Sequence, residues 1–362
     1  MKSILRLLLL IELMCSFATK AEQTLITTTF QMLDVDKGFI TFDYAYFSPS
    51  LDVFDFASKI ESTFRPEEAR SGYLSIAYKI SPNILISYQS EQASAVTSRD
   101  REPFRLESDV EGETLLLQWQ AGELLGHSAH VYAGYTKREQ DLLSIDCYQY
   151  GSFTVGDCES ADFAFTNLET GETDPALSTS ARENRWLVGV SFSKLLARDW
   201  TIQHSFRYQS SEVAASVQSS FLSITDPFLL SFRINGERLD TLIDRLRSSF
   251  PQETPWKENV VRYDLGVNWA LGDRWLINNT LGYLKVSRSG YAAEAGAKAY
   301  NSNLMFSSSV WYTPTPSVTV YVRGEVTKNY LLGLDSMLFN QRTAKFFDYP
   351  FAQVSAGLLF SF

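Results

Sequence analysis

Residues 260–271, VVRYDLGVNWAL, alternate apolar and polar side chains from Val261 to Trp269. Val261, Tyr263, Leu265, Val267, Trp269 and Leu271 fall on one side, and Arg262, Asp264, Gly266 and Asn268 on the other. Consecutive side chains of a β-strand point to opposite faces, so this stretch reads as a strand with one apolar and one polar face. At about ten residues it has the length and period of a strand that crosses a bilayer, with lipid on one face and a lumen on the other.

The pattern recurs along the chain. Residues 199–209, DWTIQHSFRYQ, put Trp200, Ile202, His204, Phe206 and Tyr208 on the apolar side. Similar segments span 39–47, 71–80, 84–91, 114–120, 129–137, 185–194, 275–285, 299–312, 318–327 and 349–362, making twelve strands in all. The connections alternate in length. Short turns fall at 81–83, 121–127, 195–199, 272–273 and 313–316, and long loops at 48–70, 92–113, 138–184, 210–259, 286–298 and 328–348. Twelve antiparallel strands with both termini on the short-turn side have the layout of a barrel with short periplasmic turns and long extracellular loops.

A soluble β-sandwich also alternates, but it has no reason to sort aromatic residues by depth. Here Trp119, Trp200, Trp269, Trp275, Tyr312 and Phe362 fall at the short-turn ends, while Tyr46, Tyr88, Tyr135, Trp186, Tyr208, Tyr283 and Tyr300 fall toward the long loops. Two such girdles are expected at the two membrane interfaces. The predicted fold is an all-β transmembrane antiparallel barrel of about twelve strands, occupying residues 39–362 as one domain.

The N-terminus, MKSILRLLLLIELMCSFATKAEQ, carries Lys2 and Arg6 ahead of an apolar run and small residues at Ser16, Ala18 and Ala21. It reads as a signal peptide over residues 1–21, cleaved after Ala18 or Ala21, followed by a periplasmic segment at 22–38. No later stretch approaches the roughly 18 apolar residues of a membrane helix. The net charge of −10 argues against nucleic acid, whose binders present a basic face. With Cys15 removed, Cys147 and Cys158 remain in an exported chain, and a disulfide between them is expected.

The terminal residues QVSAGLLFSF place Val354, Ala356, Leu358, Phe360 and Phe362 at every second position before a final aromatic. This ending resembles the C-terminal signature strand of the bacterial outer-membrane β-barrel superfamily. The resemblance covers the architecture of the mature chain and implies an outer-membrane location, contact with lipid and lipopolysaccharide, and recognition by the barrel-assembly machinery through Leu358, Phe360 and Phe362. Phe362 is expected at the periplasmic girdle, with its strand pairing the first one near Phe39.

Twelve strands leave at most a narrow passage, so the polar face matters. Arg207 and Arg262 fall at one depth on the seventh and eighth strands, with Asp264 one inward position below; Asp43, Arg323 and Glu325 lie on the first and eleventh. These six form either a constriction that selects solutes or a salt-bridge network that plugs the barrel. In the fourth loop Leu239, Leu242, Ile243, Leu246 and Phe250 recur at helical spacing, which predicts a short amphipathic helix that narrows the mouth or caps the rim. The third loop, from Glu139 to Glu183, carries ten acids and one base and reads as a solvated loop or a site for divalent cations. Asp34 to Gly38 lacks the later ligands of a calcium loop, and neither metal nor cofactor is expected.

Catalysis would fall to His127, His130 or His204. His204 faces lipid, but Ser191 and Ser193 on the neighbouring strand have lumenal parity, and no phosphate loop, zinc motif or nucleophile elbow is present. The expected function is a non-enzymatic outer-membrane channel for passive passage of small hydrophilic solutes. A lipid-modifying enzyme and a closed-barrel receptor or adhesin are the alternatives, and the oligomeric state is open.

Overall fold

The computed structural model describes residues 37–47, 64–99, 102–124, 126–145, 177–218, 253–290, 301–329 and 350–362, with short pieces of the intervening loops that include 332–334 and 336–337. Twelve strands form one closed sheet. They are β1 Gly38–Phe47, β2 Phe64–Ser81, β3 Ile84–Arg99, β4 Glu102–Leu124, β5 His127–Ile145, β6 Leu177–Ala197, β7 Trp200–Gln218, β8 Glu253–Leu271, β9 Trp275–Gly290, β10 Ser302–Thr315, β11 Val318–Thr327 and β12 Phe351–Ser361. Each strand pairs antiparallel with its sequence neighbours, and β12 returns to β1. The predicted signal peptide and periplasmic segment, up to Asp36, lie outside the described residues.

The outward face is apolar. Leu115, Leu117, Phe206, Val261, Leu281 and Phe306 are exposed although large and hydrophobic. A belt of that extent on a soluble monomer would aggregate, so it requires apolar surroundings. At its short-turn edge Trp200 stacks on Trp269 with centroids 5.2 Å apart, and Trp275 meets Tyr312 at 4.4 Å. At the other edge Tyr135 meets Trp186 at 4.6 Å. These are the two aromatic girdles of the sequence reading.

The barrel closes where the terminal strand was expected to act. Phe39 pairs Ser361, and Phe362 exchanges hydrogen bonds with Gly38: the Gly38 amide donates to the Phe362 carbonyl at 3.0 Å, and the Phe362 amide to the Gly38 carbonyl at 3.0 Å. Gly38 is needed there, because a side chain would overlap the Ala77 carbonyl and press on the Phe362 ring.

Several connections are shorter than the sequence reading allows. β3 runs to Arg99 and β4 begins at Glu102, so the loop expected at 92–113 is a continuous hairpin. β2, β5, β6, β7, β8 and β9 likewise extend into the expected loops. The sequence of these extensions no longer alternates regularly with period two, although backbone pairing continues through them.

Two tyrosines lock opposite walls. Tyr132 on β5 lies over Gly189 on β6, and its hydroxyl meets Ser205 Oγ on β7 at 3.0 Å. Tyr321 on β11 lies over Gly357 on β12, and its hydroxyl donates to Asp43 Oδ2 on β1 at 2.5 Å. Each ring crosses one strand to reach the next, and the two joints are six strands apart in a barrel of twelve. A Cβ at either glycine would overlap the ring above it. Gly189→Ala and Gly357→Ala are therefore each expected to destabilise the barrel by about 1–3 kcal/mol, measured by urea unfolding from lipid vesicles. If both variants unfold like the wild type, the rings do not seat on these glycines.

Candidate functional site

The lumen is lined by the second set of alternating positions, and most of its charged side chains are buried. Arg138 is 1% exposed, Glu183 and Glu258 0%, and Arg262, Asp264, Arg323 and Glu325 all 6% or less. A wide aqueous pore would leave these side chains accessible to water.

The strand register arranges charge in two tiers. In the upper tier, toward the long loops, Glu91 on β3, Gly112 on β4, Arg138 on β5 and Glu183 on β6 lie in one cross-strand row. The missing side chain at Gly112 lets Arg138 reach across β4, where it binds Glu91 through Nε at 3.1 Å and Nη2 at 2.9 Å. Its Nη1 meets Glu183 at 3.2 Å. A second row begins two residues along β6 and joins Arg185, Ser211, Glu258 and Arg288 on β6 to β9. Arg185 binds Glu183 at 2.6 Å, and Arg288 binds Glu258 at 2.7 Å. Charge thus alternates in sign from β3 to β9, which meets the requirement that a buried charge be paired.

The lower tier holds the six residues singled out from the sequence. Arg207 and Arg262 are direct register partners, and Arg262 binds Asp264 at 2.7 Å. Arg323 binds Glu325 at 2.7 Å on β11, and Asp43 takes the Tyr321 hydroxyl. Three of the lumenal pairs, Glu183/Arg185, Arg262/Asp264 and Arg323/Glu325, join residues two apart on one strand. That spacing puts both charges on the same face.

Two lumenal features escaped the sequence reading. The first is an apolar cluster of inward residues, Phe39, Ala77, Leu85, Leu116, Tyr132, Leu187 and Leu359, one from each of β12 and β1–β6, that forms a single layer across those strands. Its signal is present as runs that break the alternation: Ile84-Leu85-Ile86, Leu115-Leu116-Leu117 and Leu358-Leu359-Phe360. In each the middle residue must face inward.

The second is the segment after β11. Asn303 on β10 holds its start, donating to the Asn329 and Leu332 carbonyls and accepting from the Asn329 amide at 2.8 Å. Leu332, Leu334 and Met337 are buried. Gly333, at φ +72°, sits so close to Leu284 and Val286 that a Cβ would come within 2.7 Å of each. Ser336 then donates its hydroxyl to Glu183, and its carbonyl accepts from Trp256 Nε1 at 3.2 Å. Glu183 stands on β6, five strands round from β11. The described residues 332–334 and 336–337 thus form a strap that packs on β8, β9 and β10 and reaches Glu183 on β6. Of the helix expected in the fourth loop, Asp240, Thr241 and Asp244 are described and are helical, whereas its apolar positions and the Cys147–Cys158 disulfide lie outside the described residues.

His204 lies on the outer face, its Nδ1 2.8 Å from the Tyr263 hydroxyl. Ser191 faces the lumen, buried. His130 is also lumenal, 3.3 Å from Gln118. Among the described residues no group of three metal-ligating side chains occurs.

No protein-family model matches the chain, and no curated protein matches it. Solved structures do. The translocator domain of the autotransporter NalP from Neisseria meningitidis aligns with a TM-score of 0.53 at 10% identity, over 94% of each chain. The fold is that of a bacterial outer-membrane β-barrel. The NanC porin aligns at TM-score 0.42 and 10% identity over 90% of this chain and 100% of its own, and the outer membrane protease OmpT from Escherichia coli at 0.33 and 9% over 91% and 94%. At these identities the likeness concerns the fold alone.

The carboxylate of Glu183 is the junction of the barrel's upper tier, since two guanidiniums and the strap converge on it. Glu183→Gln should destabilise the barrel by about 3–5 kcal/mol, whereas Lys137→Ala, which removes an exposed outward pair with Glu139, should leave stability unchanged within error. Equal urea midpoints for Glu183→Gln and the wild type would show that the tier contributes nothing to stability.

Proposed function

We propose that the protein is a strap-gated outer-membrane channel for small hydrophilic solutes. The observation that supports this is the asymmetry of the lumen. Across from the apolar cluster, the lower part of the wall of β7 and β8 is polar. Thr201, Gln203, Ser205, Arg207, Gln209 and Ser211 line it on β7, below the inward apolar side chain of Val213, and Asn268, Gly266, Asp264 and Arg262 on β8, below those of Val260 and Trp256. Such a stretch provides hydrogen bonding to a hydrated solute. The strap closes it at the long-loop end.

The reading includes export by a cleaved signal peptide, assembly through Leu358, Phe360 and Phe362, a Cys147–Cys158 disulfide, lipopolysaccharide around the outer leaflet, and no enzymatic activity. A second reading, a closed barrel acting through its long loops, draws support from the burial of the lumenal charges. Conduction separates the two.

In planar bilayers at high salt the wild type is expected to open rarely. Leu334→Asp, which places a charge in the buried strap, should raise open probability several-fold. A membrane silent with both proteins sinks the channel reading. Where conductance is seen, Arg207→Gln combined with Arg262→Gln should shift the reversal potential toward cations. An unchanged potential would mean that these two guanidiniums do not form the filter.

A further inference from the structure

Among the described residues, the charges that make up the two tiers balance within each tier. Glu91, Glu183 and Glu258 face Arg138, Arg185 and Arg288 in the upper tier, and Asp43, Asp264 and Glu325 face Arg207, Arg262 and Arg323 in the lower. A pore that concentrates anions carries an excess of positive charge, and one that concentrates cations an excess of negative charge. Neither excess exists in these tiers.

Within each tier one carboxylate is only half used by protein. Glu258 accepts from Arg288 through Oε2, while its buried Oε1 has no protein partner. Asp43 accepts from Tyr321 through Oδ2, while its buried Oδ1 has none. Both open atoms are acceptors, so whatever completes them must donate. They stand in different tiers and five strands apart, on β8 and on β1.

Resting on the channel reading, we propose that the solutes are zwitterions bearing an ammonium and a carboxylate group, the chemistry of amino acids and their short peptides. The ammonium donates first to Glu258 Oε1 and then to Asp43 Oδ1. The solute's carboxylate passes the guanidiniums beside those sites, Arg288 and Arg323. A dipolar solute enters a balanced tier without leaving a buried charge uncompensated, whereas a lone anion or cation unbalances it. A polyol offers donors to the same oxygens, but its neutral hydrogen bonds to a carboxylate are weaker than those of an ammonium.

Tracer efflux from proteoliposomes holding the full barrel tests this with four solutes of similar size: L-alanine, N-acetyl-L-alanine, L-alaninamide and erythritol. Alanine is expected to leave about tenfold faster than the other three, the ratio for one charge-assisted hydrogen bond. Asp43→Asn and Glu258→Gln should each narrow that preference. One common rate for all four solutes, or a faster anion, overturns the zwitterion assignment and leaves the channel reading intact. No efflux of any solute together with a silent bilayer overturns both. The comparison on the wild-type protein decides even if a variant fails to fold.

Discussion

Every backbone group inside a bilayer must find its partner within the protein, because hydrocarbon offers none, and a sheet meets that demand only by closing on itself. The seam between β1 and β12 is therefore the contact on which the rest of the molecule depends. β1 has ten residues and β12 eleven, so few pairs set the register of the seam. Gly38 and Phe362 fix its lower end through reciprocal hydrogen bonds, and the absence of a side chain at Gly38 admits both the Ala77 carbonyl and the Phe362 ring. A slip of one residue would exchange the faces of a strand. On β11 such a slip would put Arg323 and Glu325 into lipid and Val320 and Val322 into the lumen.

The register that closes the barrel also determines what the lumen contains. Pairing at spacing two on one strand makes Glu183/Arg185, Arg262/Asp264 and Arg323/Glu325 neutral units before any neighbour arrives. Cross-strand rows then connect these units, with Gly112 leaving room for Arg138 to lie along the wall toward Glu91. The result is a charged interior without an uncompensated side. Elsewhere along β12 and β1–β6 one layer of leucine, phenylalanine, tyrosine and alanine packs as in a soluble core.

Much of this was legible in the sequence wherever the two faces of a strand meet different surroundings. Across the belt lipid lies outside and polar groups inside, so residues 260–271 and 199–209 announce both strand and facing, and the parity of Arg207, Arg262 and Asp264 follows from theirs. Where the surroundings become alike the signal fades. In the strand extensions the regular alternation stops, and the 92–113 hairpin looked like a loop. Where the lumen is apolar, Leu85, Leu116 and Leu359 interrupt the alternation and looked like noise, although three consecutive apolar residues in a membrane strand require one to point inward. The strap left no periodic trace, because its placement depends on contacts with Asn303, Glu183 and Trp256, all distant in sequence. Tyr132 and Tyr321 could be assigned to the lumen by parity, but their seats on Gly189 and Gly357 depend on cross-strand register, which alternation does not reveal.

Apolar and charged layers solve the same packing problem at different energetic cost. Replacing a buried ion pair with well-packed apolar residues is often neutral or stabilising, by roughly 1–4 kcal/mol, because desolvation offsets most of the Coulomb attraction. The cluster that runs from Phe39 to Leu359 shows that this chain can fill part of a lumen with hydrocarbon. A barrel that needed only to be stable could have done so at every depth. Instead, guanidiniums and carboxylates are kept on β1, β3, β5 and β6 as well as on β7, β8, β9 and β11. The strap adds the buried side chains of Leu332, Leu334 and Met337 beside them. It meets the barrel through side-chain hydrogen bonds and through the approach of Gly333 to Leu284 and Val286, an attachment weaker than the continuous backbone ladder that holds the strands together.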